Sequence, residues 1–222
     1  MAQKNPINSI SDSRPLAVIT GAASGFGYEL AQAFAKNNFD LIVTDYNPAI
    51  VEAAEAFRAF GGIVEHIQTN LGAFKGVDGL IQKIQSIHRP IDTVVFNAHV
   101  ITSGGFGEIP MEEELNSILV NITSVVHLAK HVVQEMKKEH HGRLLFTTGH
   151  PEKEYTNYHS VYEASKAFVK TFAENLQAEL KDQGITVESF TESSDPQDAE
   201  AAALKTFKAI MSERRYVEEH LL

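Results

Sequence analysis

The chain has 222 residues, 43% of them hydrophobic and 22% charged, with a formal net charge of -10. That length is enough for a domain with a sizeable core, and the acidic balance argues against nucleic acid and anionic lipid as partners. Cysteine is absent, which excludes disulfides, thiolate metal sites and cysteine nucleophiles.

Residues 1–14 are polar and lack the apolar stretch of a signal peptide. They are expected to form a flexible arm, and 15–222 one domain. No apolar run approaches the length of a membrane span, so a soluble, cytoplasmic protein is expected. Residues 15–20 (PLAVIT) form a short apolar run that stops at glycine, the pattern of a buried strand. Helical spacing follows over 28–36, with Leu30, Ala31 and Phe34 on one face. A second strand is expected over 39–44, a helix over 48–60, a third strand over 63–68 and a helix over 77–87. The fourth strand covers 91–96, and one long helical pattern runs from 112 to 140. The fifth strand covers 143–147, a helix 160–181, the sixth strand 185–190, and a final helix 199–220. Strict alternation of apolar strands with helices predicts an α/β fold: a Rossmann-like, doubly wound parallel sheet of about six strands, with ligands at the carboxyl ends of the strands.

The first strand runs into T20-G21-A22-A23-S24-G25-F26-G27 and then a helix. Gly21 permits a tight turn, Gly25 lets backbone approach a pyrophosphate, and Gly27 lets the helix pack close on the sheet. The strand–loop–helix context makes this more than a chance cluster of glycines. Asp45 ends the second strand, 18 residues after Gly27. Its carboxylate can accept hydrogen bonds from a ribose 2′-hydroxyl and would repel a 2′-phosphate. Neither Tyr46 nor Asn47 supplies a cation, so NAD is expected in preference to NADP. Capping of the following turn is the structural alternative for Asp45. Tyr162 and Lys166, four apart in a helical stretch, share a face and can act as an acid–base pair.

The spacing T-G-x-x-x-G-x-G, Asn97-Ala98 after the fourth strand and Tyr-x-x-x-Lys after the fifth together resemble the short-chain dehydrogenase/reductase family, over about residues 15–190. The resemblance implies an oxidoreductase that moves hydride between a nicotinamide cofactor and a carbonyl or alcohol substrate. It assigns the cofactor to Gly21, Ser24, Gly25, Phe26, Gly27, Asp45, Asn97, Ala98 and Lys166. Asn70 stands where the family usually has an Asp that bonds the adenine amino group, and Leu71 follows it. An Asn oxygen can still accept that bond. Tyr162 is implied as the general acid–base. Lys166 lowers the phenol pKa from near ~10, and Asn121 anchors a proton-relay water. By analogy the two long helical stretches, 112–140 and 160–181, form a homodimer face.

Three departures qualify the resemblance. The family's hydroxyl donor, commonly 13 residues before the Tyr, falls on Gly149, leaving Thr148 as its substitute and His150 as a further donor. His99 replaces a glycine near the nicotinamide ribose, where its side chain would crowd the cofactor or reach the substrate. After the sixth strand neither the family's Pro-Gly turn nor its last strand is found, so the sheet is expected to be truncated at its C-terminal side. These departures favour the alternative, a nucleotide-binding protein of this fold with little or no turnover. His127 and His131 share a helix face but lack a third ligand, so no metal is expected.

Overall fold

The fold follows from which way each strand's side chains point. The computed structural model describes residues 14–148, 159–190 and 198–220, with side chains as far as Met211. The strands are β1 (Leu16–Thr20), β2 (Asp40–Asp45), β3 (Val64–Gln68), β4 (Thr93–Phe96), β5 (Gly142–Thr147) and β6 (Ile185–Phe190). They form one parallel sheet in the order β3-β2-β1-β4-β5-β6. Alternate residues enter opposite cores. Leu16, Val18, Val94, Phe96, Leu144 and Phe146 face one; Ala17, Ile19, Val95 and Leu145 face the other. Both faces are covered, which is why these strands carry continuous apolar runs rather than alternating ones.

On the first face lie α3 (Phe74–Ser86), α5 (Ser124–Glu139) and α6 (Ser160–Leu180); on the second lie α1 (Gly25–Lys36), α2 (Ile50–Arg58) and α7 (Ala199–His220). The helix α7 is fastened to α1 by Ala203, Phe207 and Ile210, all buried, with Phe207 edge-on to Phe34 at 5.0 Å. Burial of an aromatic this size contributes about 1.5–3 kcal/mol.

The stretch expected as one helix over 112–140 is instead three pieces: α4 (Met111–Ile118), a wide π turn (Leu119–Thr123) and α5. A π turn takes in one extra residue and shifts the side chains beyond it. Asn121 sits inside this turn, buried and hydrogen-bonded to neighbouring segments. Those bonds supply the tertiary reason for the irregularity. The helix before β4 begins at Phe74, three residues earlier than its apolar pattern. No helix among the described residues is long and apolar enough to cross a membrane.

At the amino edge of the sheet, buried Asp40 takes Arg89 at 2.7 Å and the Ile63 N–H at 2.8 Å. Asp92 takes His141 at 3.0 Å and the Thr93 hydroxyl at 2.7 Å. These ion pairs lie at the end opposite the loops after β1 and β4. They belong to the scaffold.

Candidate active site

Winding in one direction from β1 to β3, and in the other from β4 to β6, leaves a crevice between the carboxyl ends of β1 and β4. The two ends are fastened by Thr20, fully buried within the sheet. Its hydroxyl donates to the Val95 carbonyl at 3.1 Å and accepts the N–H groups of Asn97 and Ala98 at 3.0 and 3.1 Å.

The loop between β1 and α1 is fixed by its glycines. Gly21 has φ +70°, and a Cβ there would lie 2.8 Å from the Ala98 Cα. Gly25 also has positive φ, +57°, but with open space around it, so conformation rather than crowding requires that glycine. At Gly27 a Cβ would fall 2.1 Å from the Gly21 carbonyl oxygen and 2.3 Å from Asn97 Nδ2. That amide donates to the Gly21 oxygen at 3.0 Å, so Asn97 braces the loop from beneath. Its Oδ1 is buried without a hydrogen-bond partner. Ser24 precedes α1, and its side chain makes no capping bond. The first N–H groups of that helix, which lack intrahelical partners, are left for an anion.

A cleft of about 600 Å³ opens over this loop, within the range of small-molecule sites. Gly21, Ser24, Gly25, Phe26 and Gly27 line one end, and Asp45, Asn70, Leu71, Asn97 and Ala98 continue it. Asp45 is half-buried. Its Oδ2 accepts the Ala23 N–H at 3.0 Å and its Oδ1 the Asn47 N–H at 2.9 Å. The turn-capping role and the loop-facing position therefore coexist, and each oxygen keeps a lone pair for a ribose hydroxyl. Asn70 is placed in the same way: its Oδ1 accepts the Gly72 N–H at 2.8 Å in a local turn and keeps its second lone pair. Tyr46, Thr69, Val100, Asn116 and Val120 also line the cleft. The last two sit on the helix wall five and one residues before Asn121, and only the π turn shows that this surface faces the loop.

Tyr162 and Lys166 are both buried on α6. Lys166 Nζ lies 5.6 Å from the Tyr162 ring centroid and donates to the Thr147 carbonyl at 3.3 Å, which sets the ammonium at the carboxyl end of β5. Asn121 joins this helix to the loop after β4. Its Oδ1 accepts the Val100 N–H at 2.8 Å, and its Nδ2 donates to the Val100 carbonyl, Ser117 Oγ and Ser165 Oγ at 2.9, 3.1 and 3.0 Å. Ser165 in turn donates to the Tyr162 carbonyl at 2.6 Å. Thr148 turns toward β6: its hydroxyl donates to the Phe190 carbonyl at 3.1 Å, and its N–H donates to the same oxygen at 2.7 Å. Gly149 and His150 lie outside the described residues. His127 pairs with Asp78 at 3.3 Å, and no cluster of three metal-ligating side chains occurs among the described residues.

The residues present fit a dinucleotide: a glycine cradle that a Cβ would fill, free N–H groups at a helix start, a carboxylate for a ribose, and a buried amide oxygen without a partner. Known proteins resemble this chain in sequence and in fold. Oxidoreductase UcpA of Salmonella typhimurium is 28% identical over 210 residues, covering 87% of this chain and 79% of that protein. A metagenomic short-chain oxidoreductase in complex with NADP superposes with a TM-score of 0.78 at 21% identity, over 86% of this chain and 90% of that one. NAD+-bound xylitol dehydrogenase gives 0.74 at 19% identity, over 83% and 71%. At these identities the two structures carry the fold alone. The short chain dehydrogenase family matches residues 15–192, most of the chain, and this protein belongs to that family.

Proposed function

We propose that the protein is an oxidoreductase that interconverts an alcohol and a carbonyl compound with a nicotinamide dinucleotide, NAD in preference to NADP. The observation that carries this reading is that His99, which lines the glycine-loop cleft, has its ring 5.8 Å from that of Tyr162, whose neighbour Lys166 is set at the carboxyl end of β5. A bound nicotinamide would supply the hydride acceptor in oxidation, and Tyr162, as the phenolate, would take the carbinol O–H proton. Lys166 stabilises negative charge on the phenol oxygen, and Asn121 holds the loop after β4 at a fixed distance from α6. Thr148 serves as substrate donor only if its hydroxyl leaves the Phe190 carbonyl. The cofactor preference is supported by the Asp45 carboxylate, with no Lys or Arg in the glycine loop or in the two residues after Asp45. A homodimer is supported by exposed Met111, Leu115 and Ile118 on one face of α4 and Phe168 on α6. Light scattering at the size-exclusion peak checks it.

The test is titration with NADH and NADPH by cofactor fluorescence, followed by a screen of alcohols and carbonyls. Tyr162→Phe is expected to lower kcat about 10²–10⁴-fold while nucleotide affinity is retained. Absence of nucleotide binding would overturn the reading. Tight NADH binding with no Tyr162-dependent turnover would establish the second reading, a nucleotide-binding protein without catalysis, which the committed Thr148 hydroxyl favours.

A further inference from the structure

A buried carboxyl stands on the helix wall, apart from the glycine loop and the acid–base pair. Glu114 lies on α4 and is buried, as are Ser117 and Asn121 three and seven residues on. That spacing sets the three along one side of the helical stretch, and each bonds the segment after β4. Ser117 and Asn121 hold Val100, while Glu114 Oε2 accepts the Thr102 hydroxyl at 3.0 Å. A carboxyl is costly to bury, and an apolar side chain of similar size would fill the place without that cost. What the carboxyl adds is an acceptor at a fixed point.

Thr102 passes the restraint on. It is itself buried, and its carbonyl oxygen lies 2.9 Å from His159 Nδ1. A carbonyl oxygen only accepts, so Nδ1 carries the proton of that bond. His159 caps the start of α6, its own carbonyl accepting the Glu163 N–H at 2.8 Å. Its ring meets that of Tyr162 near edge-on, with centroids 6.4 Å apart and planes at 71°. Asn121 and Ser165 reach the Tyr162 backbone; the line from Glu114 reaches its ring.

We propose that Glu114 is a positioning residue: through Thr102 and His159 it sets the orientation of the Tyr162 ring, and so the place of the phenol oxygen. Glu114 takes and gives no proton in the reaction. A loosened ring lengthens the path of the proton between substrate and phenol and leaves the glycine loop untouched, so turnover falls while nucleotide affinity holds. The effect on turnover rests on the oxidoreductase reading; the orientation of the ring does not.

The test uses Glu114→Leu, Glu114→Gln, Thr102→Val and His159→Leu in the full chain. NMR reads the His159 Nδ1–H and the Tyr162 ring signals, assigned by their loss in His159→Leu and Tyr162→Phe. Turnover is read with NAD+ and a panel of 2-butanol, cyclohexanol and 1-phenylethanol, and NADH affinity by fluorescence. Glu114→Leu and Thr102→Val should shift the Tyr162 ring signals and speed exchange of the His159 proton. They should also lower kcat about 10–100-fold, with NADH affinity within about twofold of the parent. Glu114→Gln, whose amide oxygen can still accept from Thr102, should keep both signals and most of kcat. In the His159→Leu background, Glu114→Leu should change kcat by less than about twofold, because the line is already cut. Thr102→Val retains the carbonyl that His159 needs, and it decides the matter if Glu114→Leu does not fold. Tyr162 signals unmoved by both variants, equal effects of Glu114→Gln and Glu114→Leu, or additive losses with His159→Leu would overturn the proposal. A parent inert on the whole panel, with the ring signals moving as expected, would overturn the oxidoreductase reading and leave the positioning standing.

Discussion

Gly27→Ala opposes two effects of similar size in one residue. In the third position of α1 an alanine favours the helix by up to ~1 kcal/mol over glycine. Its Cβ, however, would lie 2.1 Å from the Gly21 carbonyl oxygen, and real Cβ contacts do not fall under 3.0 Å, so the loop must yield by about 0.9 Å. The atoms in the way are backbone and a buried amide already bonded to that carbonyl at 3.0 Å, neither of which can rotate aside. Overpacking of this kind costs about 1–3 kcal/mol. The net change in stability is therefore small, from near zero to about 2 kcal/mol of destabilisation, a fall in Tm of at most roughly 8 °C. Nucleotide affinity suffers more, because the displaced carbonyl and the N–H groups after it form the cradle itself. A loss on the order of 10–100-fold in Kd, about 1.4–2.8 kcal/mol, is expected. Cofactor fluorescence gives the affinity and calorimetry the Tm of the same preparation. If NADH binds Gly27→Ala within twofold of the parent while Tm rises, the close approach is not what that glycine serves.

Asp45→Ala removes both the proposed ribose acceptor and the bond to the Ala23 N–H. NADH affinity should fall by at least about tenfold and NADPH affinity should fall less or rise, as measured by parallel fluorescence titrations. Asn121→Ala leaves the half-buried Val100 N–H without its acceptor and the Val100 carbonyl with the longer Ser117 hydroxyl bond alone. A loss of about 2–4 kcal/mol, or roughly 5–15 °C in Tm, is expected in calorimetry, with kcat falling beyond what partial unfolding explains. Burial raises the Asp92 carboxyl pKa, but hydrogen bonds from His141 and Thr93 and the charge of Arg143 outweigh it and hold the group below the ordinary carboxylate range. Its stabilisation is complete above the unfolded value of ~3.9 and disappears as pH falls through the folded one. Asp92→Asn should therefore lower Tm by about 2–4 °C at pH 7, and a scan of Tm against pH should show that gap closing below pH ~4.

Much of the fold was legible because β1, β2, β4 and β5 are buried on both faces and announce themselves as apolar runs, while the half-exposed edge strands β3 and β6 show shorter, interrupted ones. All six were legible in their chain order. The glycine loop was equally readable, since positive φ at Gly21 and Gly25 and the close contact at Gly27 leave signatures in residue type. The π turn was not. Its neighbours Ser117, Asn121, Ser124 and Leu128 keep a nearly helical burial rhythm, and the bonds that favour the wider turn come from Val100, 21 residues away. The same applies to Asn70 and Thr148, whose polar atoms looked available in the sequence. The first is oriented by a local N–H, and the second is turned to the neighbouring strand.

The bonds of Asn121 change what kind of segment follows β4. Judged by backbone shape, residues around Val100 are a connection, the part of a protein that opens first and most often. Yet the Val100 amide hydrogen is held by a side chain only 2% exposed, itself tied through Ser165 to the second turn of a long helix. For solvent to exchange that hydrogen, the π turn and the start of α6 must loosen together, which is a partial unfolding rather than a loop fluctuation. Hydrogen exchange at Val100 is therefore expected to be as slow as in the neighbouring helices, which makes this stretch a fixed wall of the cleft rather than a moving connection.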